Sequence, residues 1–108
     1  MGFNKGNIDI TKNIRVIEWL KSELLTTVSS LFSLLVKGVK DGQEAILDVL
    51  ANIILVTYLL GKRLGLSFED IDSKVQRKVK LGIVEEHKIE KWYGDLNRLL
   101  DYFKRTRK

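Results

Sequence analysis

The sequence predicts an all-α fold, a bundle of about four helices, and three observations predict it. Proline is absent from all 108 residues, and proline costs about 3 kcal/mol inside a helix. Apolar residues recur at steps of three and four along most of the chain, the spacing that lines one helix face. Helix start and stop signals bracket the same stretches, and nowhere does the chain alternate in the two-residue rhythm of a strand.

Asp9 or Thr11 is expected to cap a first helix running to about Val36, with Gly38 as its stop. Ile14, Ile17, Leu20, Leu24, Val28, Leu31 and Leu35 form its stripe. Val16, Trp19, Leu25, Phe32 and Leu34 widen that stripe, so the helix needs cover from more than one side. Asp41 followed by Glu44 reads as a capping box for a second helix that ends near Gly61 to Gly65. From Ala45 to Leu60 only Asp48, Asn52 and Thr57 interrupt the apolar run. A membrane span is the rival reading of that run. Its 16 residues fall short of the roughly 20 needed, and Asp48 is ionisable, so a core helix is expected and no membrane partner.

Ser67 with Asp70 reads as a further capping box. It opens a third helix, Phe68 to about Leu81, with Ile71, Val75 and Val79 inward and Gly82 as its end. A fourth segment starts near Glu85, with Gly94 as a break and Ile89, Trp92, Leu96, Leu99, Leu100 and Phe103 inward. The close, Lys104 to Lys108, is a cation-rich tail.

A chain of 108 residues and 12.5 kDa has room for a single domain, 1–108, with an ordered core of about 10–103. Apolar residues at 44% supply a core, and 31% charged residues favour solubility. The absence of cysteine excludes disulfides, thiolate metal sites and thiol nucleophiles, and agrees with a cytoplasmic protein. The opening MGFNKGNID lacks the apolar stretch of a secretory signal. The net charge of +5 comes wholly from residues 55–108, where thirteen Lys/Arg face eight Asp/Glu. That charge is the sole support for a nucleic-acid binder. No recognition-helix or aromatic-platform pattern accompanies it, so nucleic acid is not the expected partner.

The chemistry-bearing pattern lies on the first two helices. Glu44, Asp48 and Asn52 recur at i, i+4 and i+8 and therefore stack on one face. Glu23, Thr26, Thr27, Ser30 and Ser33 make a second polar stripe. A short connection favours antiparallel packing, which turns Glu23 and Asp48 toward one cleft. Carboxylates converging from facing helices suit Mg²⁺, with waters and substrate phosphates completing the shell. Plainer readings stand beside this one. Glu44 also serves as the capping partner of Asp41, and the Ser/Thr stripe also lets helices approach closely. Asp48 resists a plain reading, because burying an unpaired carboxylate among Ile, Leu and Val costs several kcal/mol.

Lys74, Arg77 and Lys78 share a face of the third helix, either as phosphate ligands or as a solvated face, the commoner case. His87 pairs with Glu90, acts as a general base, or sits on the surface at a helix start, again the commonest. Trp92 and Tyr93 offer rings for stacking on a nucleobase, although the register of Trp92 with Ile89 and Leu96 favours the core. There is no glycine-rich phosphate loop, no Cys/His metal spacing and no nucleophile elbow.

At these residues the chain resembles the MazG-like branch of the all-helical NTP pyrophosphohydrolase superfamily. Members carry an ExxE motif on one helix and an ExxD motif on the next. The stretch from Trp19 to Thr26, WLKSELLT, is similar to the first, and Glu44 to Leu50, EAILDVL, to the second. LLGKRLGLSFEDID, Leu59 to Asp72, resembles the family's turn into its third helix, and EEHKIEKWYGDL, Glu85 to Leu96, resembles a small MazG-like branch of bacterial proteins. The likeness covers about residues 12–100. Glu23 matches the first Glu of ExxE, while Thr26 stands where the second belongs. Asp48 matches the Asp of ExxD, while Ala45 stands three before it, and Glu44 is one residue early, about 100° round the helix.

The resemblance implies a four-helix-bundle-like fold and Mg²⁺-dependent hydrolysis of (d)NTP to (d)NMP and pyrophosphate. Mn²⁺ is the alternative ion. Glu23 and Asp48 would be catalytic and bind metal with Glu44, Asn52 and Thr26 would stand behind them, and Lys74, Arg77 and Lys78 would hold phosphates. The alternative is a catalytically impaired scaffold that binds nucleotide or a protein partner without turnover. Two helices this apolar need further cover, so a homodimer or tetramer is expected, as relatives also form.

Overall fold

The computed structural model describes residues 2–38 and 42–106, with side chains from residue 9 onward. Among the described residues five helices follow one another: α1 (Gly2–Lys37), α2 (Gln43–Arg63), α3 (Phe68–Val84), α4 (Lys88–Tyr93) and α5 (Asp95–Thr106). No strand occurs among the described residues, so the fold is all-α. The chain divides into two compact units, Met1–Ser67 and Phe68–Lys108.

The first unit is an antiparallel hairpin of α1 and α2. Asn13 Nδ2 donates to the Arg63 carbonyl at 3.0 Å, and the Arg63 guanidinium donates back to Asn13 Oδ1 at 3.2 Å. Farther along α1, Glu23 and Thr27 both meet Asn52. Partners that rise in number on α1 and fall on α2 fix the antiparallel sense. Leu20 and Val56, each 3% exposed, are the hairpin's buried apolar side chains, with Thr27 beside them at 7%.

α1 reaches back to Gly2, so neither Asp9 nor Thr11 is its cap. Its end at Lys37 falls where Gly38, at φ 103°, leaves the helical region. α2 starts at Gln43 behind Gly42, which makes no side-chain capping bond; Asp41 lies outside the described residues. Glu44 sits in the first turn, where a carboxylate faces the positive end of the helix dipole.

α2 has 21 residues and is long and apolar enough by length and composition to cross a bilayer. The 16-residue apolar run lies within it, so length does not speak against a span as the sequence suggested. Asp48 remains an ionisable interruption that a bilayer core would penalise. Thr57 is satisfied inside the apolar run, because its hydroxyl donates to the Ile53 carbonyl at 2.7 Å. The helix closes with a paired motif. The Leu66 N–H reaches the Gly61 carbonyl at 2.9 Å and the Gly65 N–H reaches Lys62 at 3.1 Å, with Gly65 at φ 94°.

The hairpin has two unlike flanks. Ile14, Leu25 and Phe32 lie nine, two and nine residues from Glu23, which puts all three about 180° round α1 from it. All three are exposed, as are Leu50 and Ile54 on α2. Exposed apolar residues gather opposite the Glu23–Asn52 seam, beside the Glu18–Lys21 ion pair, while Trp19, Leu55 and Leu59 are exposed on the seam's own side.

The second unit packs α5 against α3 and α4. Val79 is its buried side chain, with Leu96, Leu100 and Phe103 half-buried on α5. Gly82 does not end α3, which continues to Val84. Its missing side chain makes room for α5 instead, since a Cβ there would lie 2.7 Å from Leu96 Cδ1. The same paired motif ends α3. The His87 N–H bonds to the Gly82 carbonyl at 2.8 Å and the Glu86 N–H to Ile83 at 3.2 Å, so Glu86 takes the left-handed position at φ 54°. Gly94, at φ 70°, breaks α4 from α5 where the sequence expected it. Trp92 is exposed rather than core, and Val75, Ile89 and Leu99 also stand partly in solvent.

Candidate functional site

Asn52 is the centre of the polar seam. Its Nδ2 donates to Glu23 Oε2 at 3.1 Å and to Thr27 Oγ1 at 3.0 Å. A carboxylate only accepts, so the amide nitrogen must face Glu23, and the amide oxygen turns elsewhere. Glu23 is half-buried and keeps Oε1 outside this contact.

One turn before Asn52 on α2, Asp48 is exposed and lines an open cleft of about 290 Å³ with Thr27, Ser30, Val49, Ala51, Asn52 and Leu55. Glu23 does not line that cleft; Asn52, which does, is the residue that bonds to it, so the two carboxylates do not share one pocket wall as the sequence suggested. Burial explains which groups are tied. Thr27 is deep enough to need its partner, whereas Asp48 keeps its charge in water.

The other expected residues fall in different places. Glu44 is exposed on the first turn of α2, off the cleft wall. Thr26 does not reach Asn52. It lies about 100° round α1 from Thr27 and lines a second open cleft of about 600 Å³ with Leu25, Ser29, Ser30, Ser33 and Leu34. Thr27, the next residue, makes the bond to Asn52. The signal for it was present, because Thr27 is four residues from Glu23 and so shares its face. Lys74, Arg77 and Lys78 are exposed on α3, in the second unit.

His87 is a helix cap: its Nδ1 accepts from the Ile89 N–H at 3.1 Å. That bond uses the ring nitrogen's lone pair, and Glu90 is engaged elsewhere. The Glu90 carboxylate accepts from the backbone N–H of Asn97 at 3.0 Å and from the Asn97 side-chain amide. Burial by itself would raise Glu90, but these Asn97 bonds, the backbone of Leu96 and the charge of Arg98 together hold its carboxyl below the usual range.

The donors gathered on the seam are all hard oxygens: two carboxylates, an amide carbonyl and the hydroxyls of Thr27 and Ser30. Among the described residues no three His, Cys, Asp or Glu side chains come close enough to cage a metal ion. Such a set fits Mg²⁺ held by one or two carboxylates with waters and substrate phosphates, and does not fit zinc or a dedicated calcium cage.

Helices alone, with an acid-amide seam between the first two, define an all-α domain whose polar chemistry is carried by a helical hairpin. The chain belongs to the MazG-like family, whose sequence pattern matches residues 10–96. No curated protein and no solved structure matches it. The family's all-α architecture agrees with the helices observed here.

Proposed function

We propose that the protein is a nucleoside triphosphate pyrophosphohydrolase that converts (d)NTPs to the monophosphate and pyrophosphate, using Mg²⁺ at the Glu23–Asn52–Asp48 seam. The observation that carries this reading is Asn52, whose amide ties Glu23 while Asp48 opens into the cleft beside it. Membership of the MazG-like family supports the reaction class.

Glu23 and Asp48 would hold the ion, with Asn52 fixing the orientation of Glu23. When bound, Mg²⁺ or Mn²⁺ supplies charge for the polyphosphate and a more acidic water. Glu23 Oε1 is the acceptor free of the Asn52 bond and would orient the attacking water. Glu44 is proposed as an additional carboxylate for substrate-bound metal, and Lys74, Arg77 and Lys78 are proposed as phosphate-binding cations on their own face of α3 in the second unit. The protein would work in the cytoplasm as a homodimer or tetramer. The exposed apolar flank of the hairpin supports assembly, and a monomer by light scattering at micromolar concentration would refute it.

The test is pyrophosphate release from a panel of NTPs and dNTPs with Mg²⁺ or Mn²⁺. Glu23→Ala and Asp48→Ala should each abolish it; turnover that survives both would exclude this site. A second reading has its own observation in its favour. With two carboxylates on the seam and no third close enough to cage a metal among the described residues, the domain would bind nucleotide or a protein partner without turnover. It predicts that nucleotide with Mg²⁺ raises the unfolding temperature while no pyrophosphate appears.

A further inference from the structure

Trp19 stands one helical turn before Glu23 on α1 and is 65% exposed. Residues four apart share a helix face, and helical side chains lean toward the N-terminus, so the Glu23 carboxylate overhangs the turn that carries Trp19. The Asn13–Arg63 and Glu23–Asn52 bonds set the hairpin's register. Between them, Trp19 comes level with the turn of α2 from Leu55 to Leu59. Both leucines are exposed, and Leu55 also lines the Asp48 cleft.

Exposed Trp19, Leu55 and Leu59 therefore lie at the level of one end of the seam, and the carboxylates lie toward the other. The rise from Trp19 to Glu23 is about 6 Å, and the Asp48 level lies about as far again. A molecule with an aromatic ring at one end, a sugar in the middle and phosphates at the other matches that order. The rings singled out from sequence, Trp92 and Tyr93, belong to the second unit, whereas Trp19 shares a helix with Glu23.

We infer that Trp19 is the platform on which the nucleobase of a nucleoside triphosphate stacks, with its phosphates directed toward Glu23 and Asp48. This rests on the proposed function. Stacking on an indole tolerates any base, so the platform supplies affinity for nucleotides as a class and leaves base choice to other contacts.

The chain has two tryptophans, so a Trp92→Phe background leaves Trp19 as the sole indole reporter. Its fluorescence is titrated with GTP, dATP and inorganic tripolyphosphate, each with Mg²⁺, and affinities are taken in parallel by calorimetry. GTP and dATP should quench Trp19, and tripolyphosphate should not. In the native background Trp19→Ala should weaken both nucleotides by about 5- to 150-fold, the worth of one stacked base, with tripolyphosphate affinity unchanged and Trp19→Phe recovering most of the loss. Tripolyphosphate binding with Trp19 silent to nucleotides would overturn the platform and spare the phosphate site. Failure of all three probes to bind would overturn both. A Trp19 signal that follows protein concentration and ignores nucleotide would also overturn it, marking the indole as a contact between copies.

Discussion

Asn52→Asp is the substitution that tests the seam most directly. The change is nearly isosteric, but it removes the amide that donates to Glu23 Oε2 at 3.1 Å and to Thr27 Oγ1 at 3.0 Å. A hydrogen bond to a charged acceptor contributes about 1.5–3 kcal/mol and one to a neutral hydroxyl about 1. The Thr27 hydroxyl can turn to donate to the new carboxylate, so that second loss is largely recovered. Repulsion from Glu23 adds between about 1 kcal/mol in a water-like setting and about 4 in a protein-like one; both residues are half-buried, which favours the lower end. The sum is a destabilisation of about 2–4 kcal/mol at neutral pH in the absence of divalent ions, a fall of roughly 10 °C or more in a domain of this size. Mg²⁺ should reverse it, because the variant then offers three carboxylates on one seam. Thermal and urea unfolding with and without Mg²⁺ read both effects, and Asn52→Leu is the control that loses the bonds without gaining from the ion. A variant as stable as the parent without Mg²⁺, or one that gains no more from Mg²⁺ than the parent, would refute the seam as a metal-ready arrangement.

Other outcomes follow from single contacts. Glu86 holds a left-handed conformation at φ 54° that costs an L-residue about 1–2 kcal/mol, so Glu86→Gly should raise the urea midpoint by an amount equivalent to about 1 kcal/mol. Gly65 occupies the same place in the motif after α2 with open space around it, so Gly65→Ala should lower stability by a similar amount through backbone strain alone. Gly82 lies inside α3, and a methyl there would crowd only the movable end of the Leu96 side chain, so Gly82→Ala should raise the urea midpoint by an amount equivalent to up to about 1 kcal/mol of helix propensity; a clear loss of stability would show that Leu96 cannot turn aside. Glu90 titrates below its ordinary value of 4.5, so its contribution is present above that pH and lost as pH falls through the folded-state value. Glu90→Gln should therefore be less stable than the parent at neutral pH and converge with it in acid; a gap constant with pH would contradict the Asn97 bonds as its cause.

The helical class was legible because it depends on local features that add along the chain: apolar steps of three and four, missing proline and glycine stops. Gly38 and Gly94 act at helix ends as their sequence context suggests. Gly82 misleads because a glycine inside a helix and one after it look alike in sequence, and the difference is Leu96 arriving from α5. Glu86 misleads in the opposite way. Nothing about a glutamate announces a left-handed residue, and only the two crossed bonds from Glu86 and His87 reveal it. At the site, spacing along one helix brought Asp48 and Asn52 to one face, and pairing across helices decided the rest. Whether Thr26 or Thr27 meets Asn52 turns on about 100° of rotation, which the register of the hairpin sets and which neither helix encodes alone. The resemblance to relatives identified Thr26 by motif position; the hydrogen bond goes to its neighbour.

The hairpin's energetics bear on why its two flanks differ. Ordering a residue costs about 1–2 kcal/mol of backbone entropy, while fully burying a Leu or Val side chain returns about 1.5–3 kcal/mol. Among the described residues Leu20 and Val56 are the buried apolar side chains of the hairpin, few for helices of 36 and 21 residues. Ile14, Leu25, Phe32, Leu50 and Ile54 are exposed on the side away from Glu23 and Asn52, so a partner that covered them would add stability. Cover placed on that flank leaves the polar seam and its cleft open to solvent. A hairpin that used one flank for both tasks would have to bury Asp48 to become stable, at a cost of several kcal/mol for an unpaired carboxylate. Separating the two tasks would remove that conflict: under the proposed function Asp48 stays exposed while burial against another copy falls on the other side.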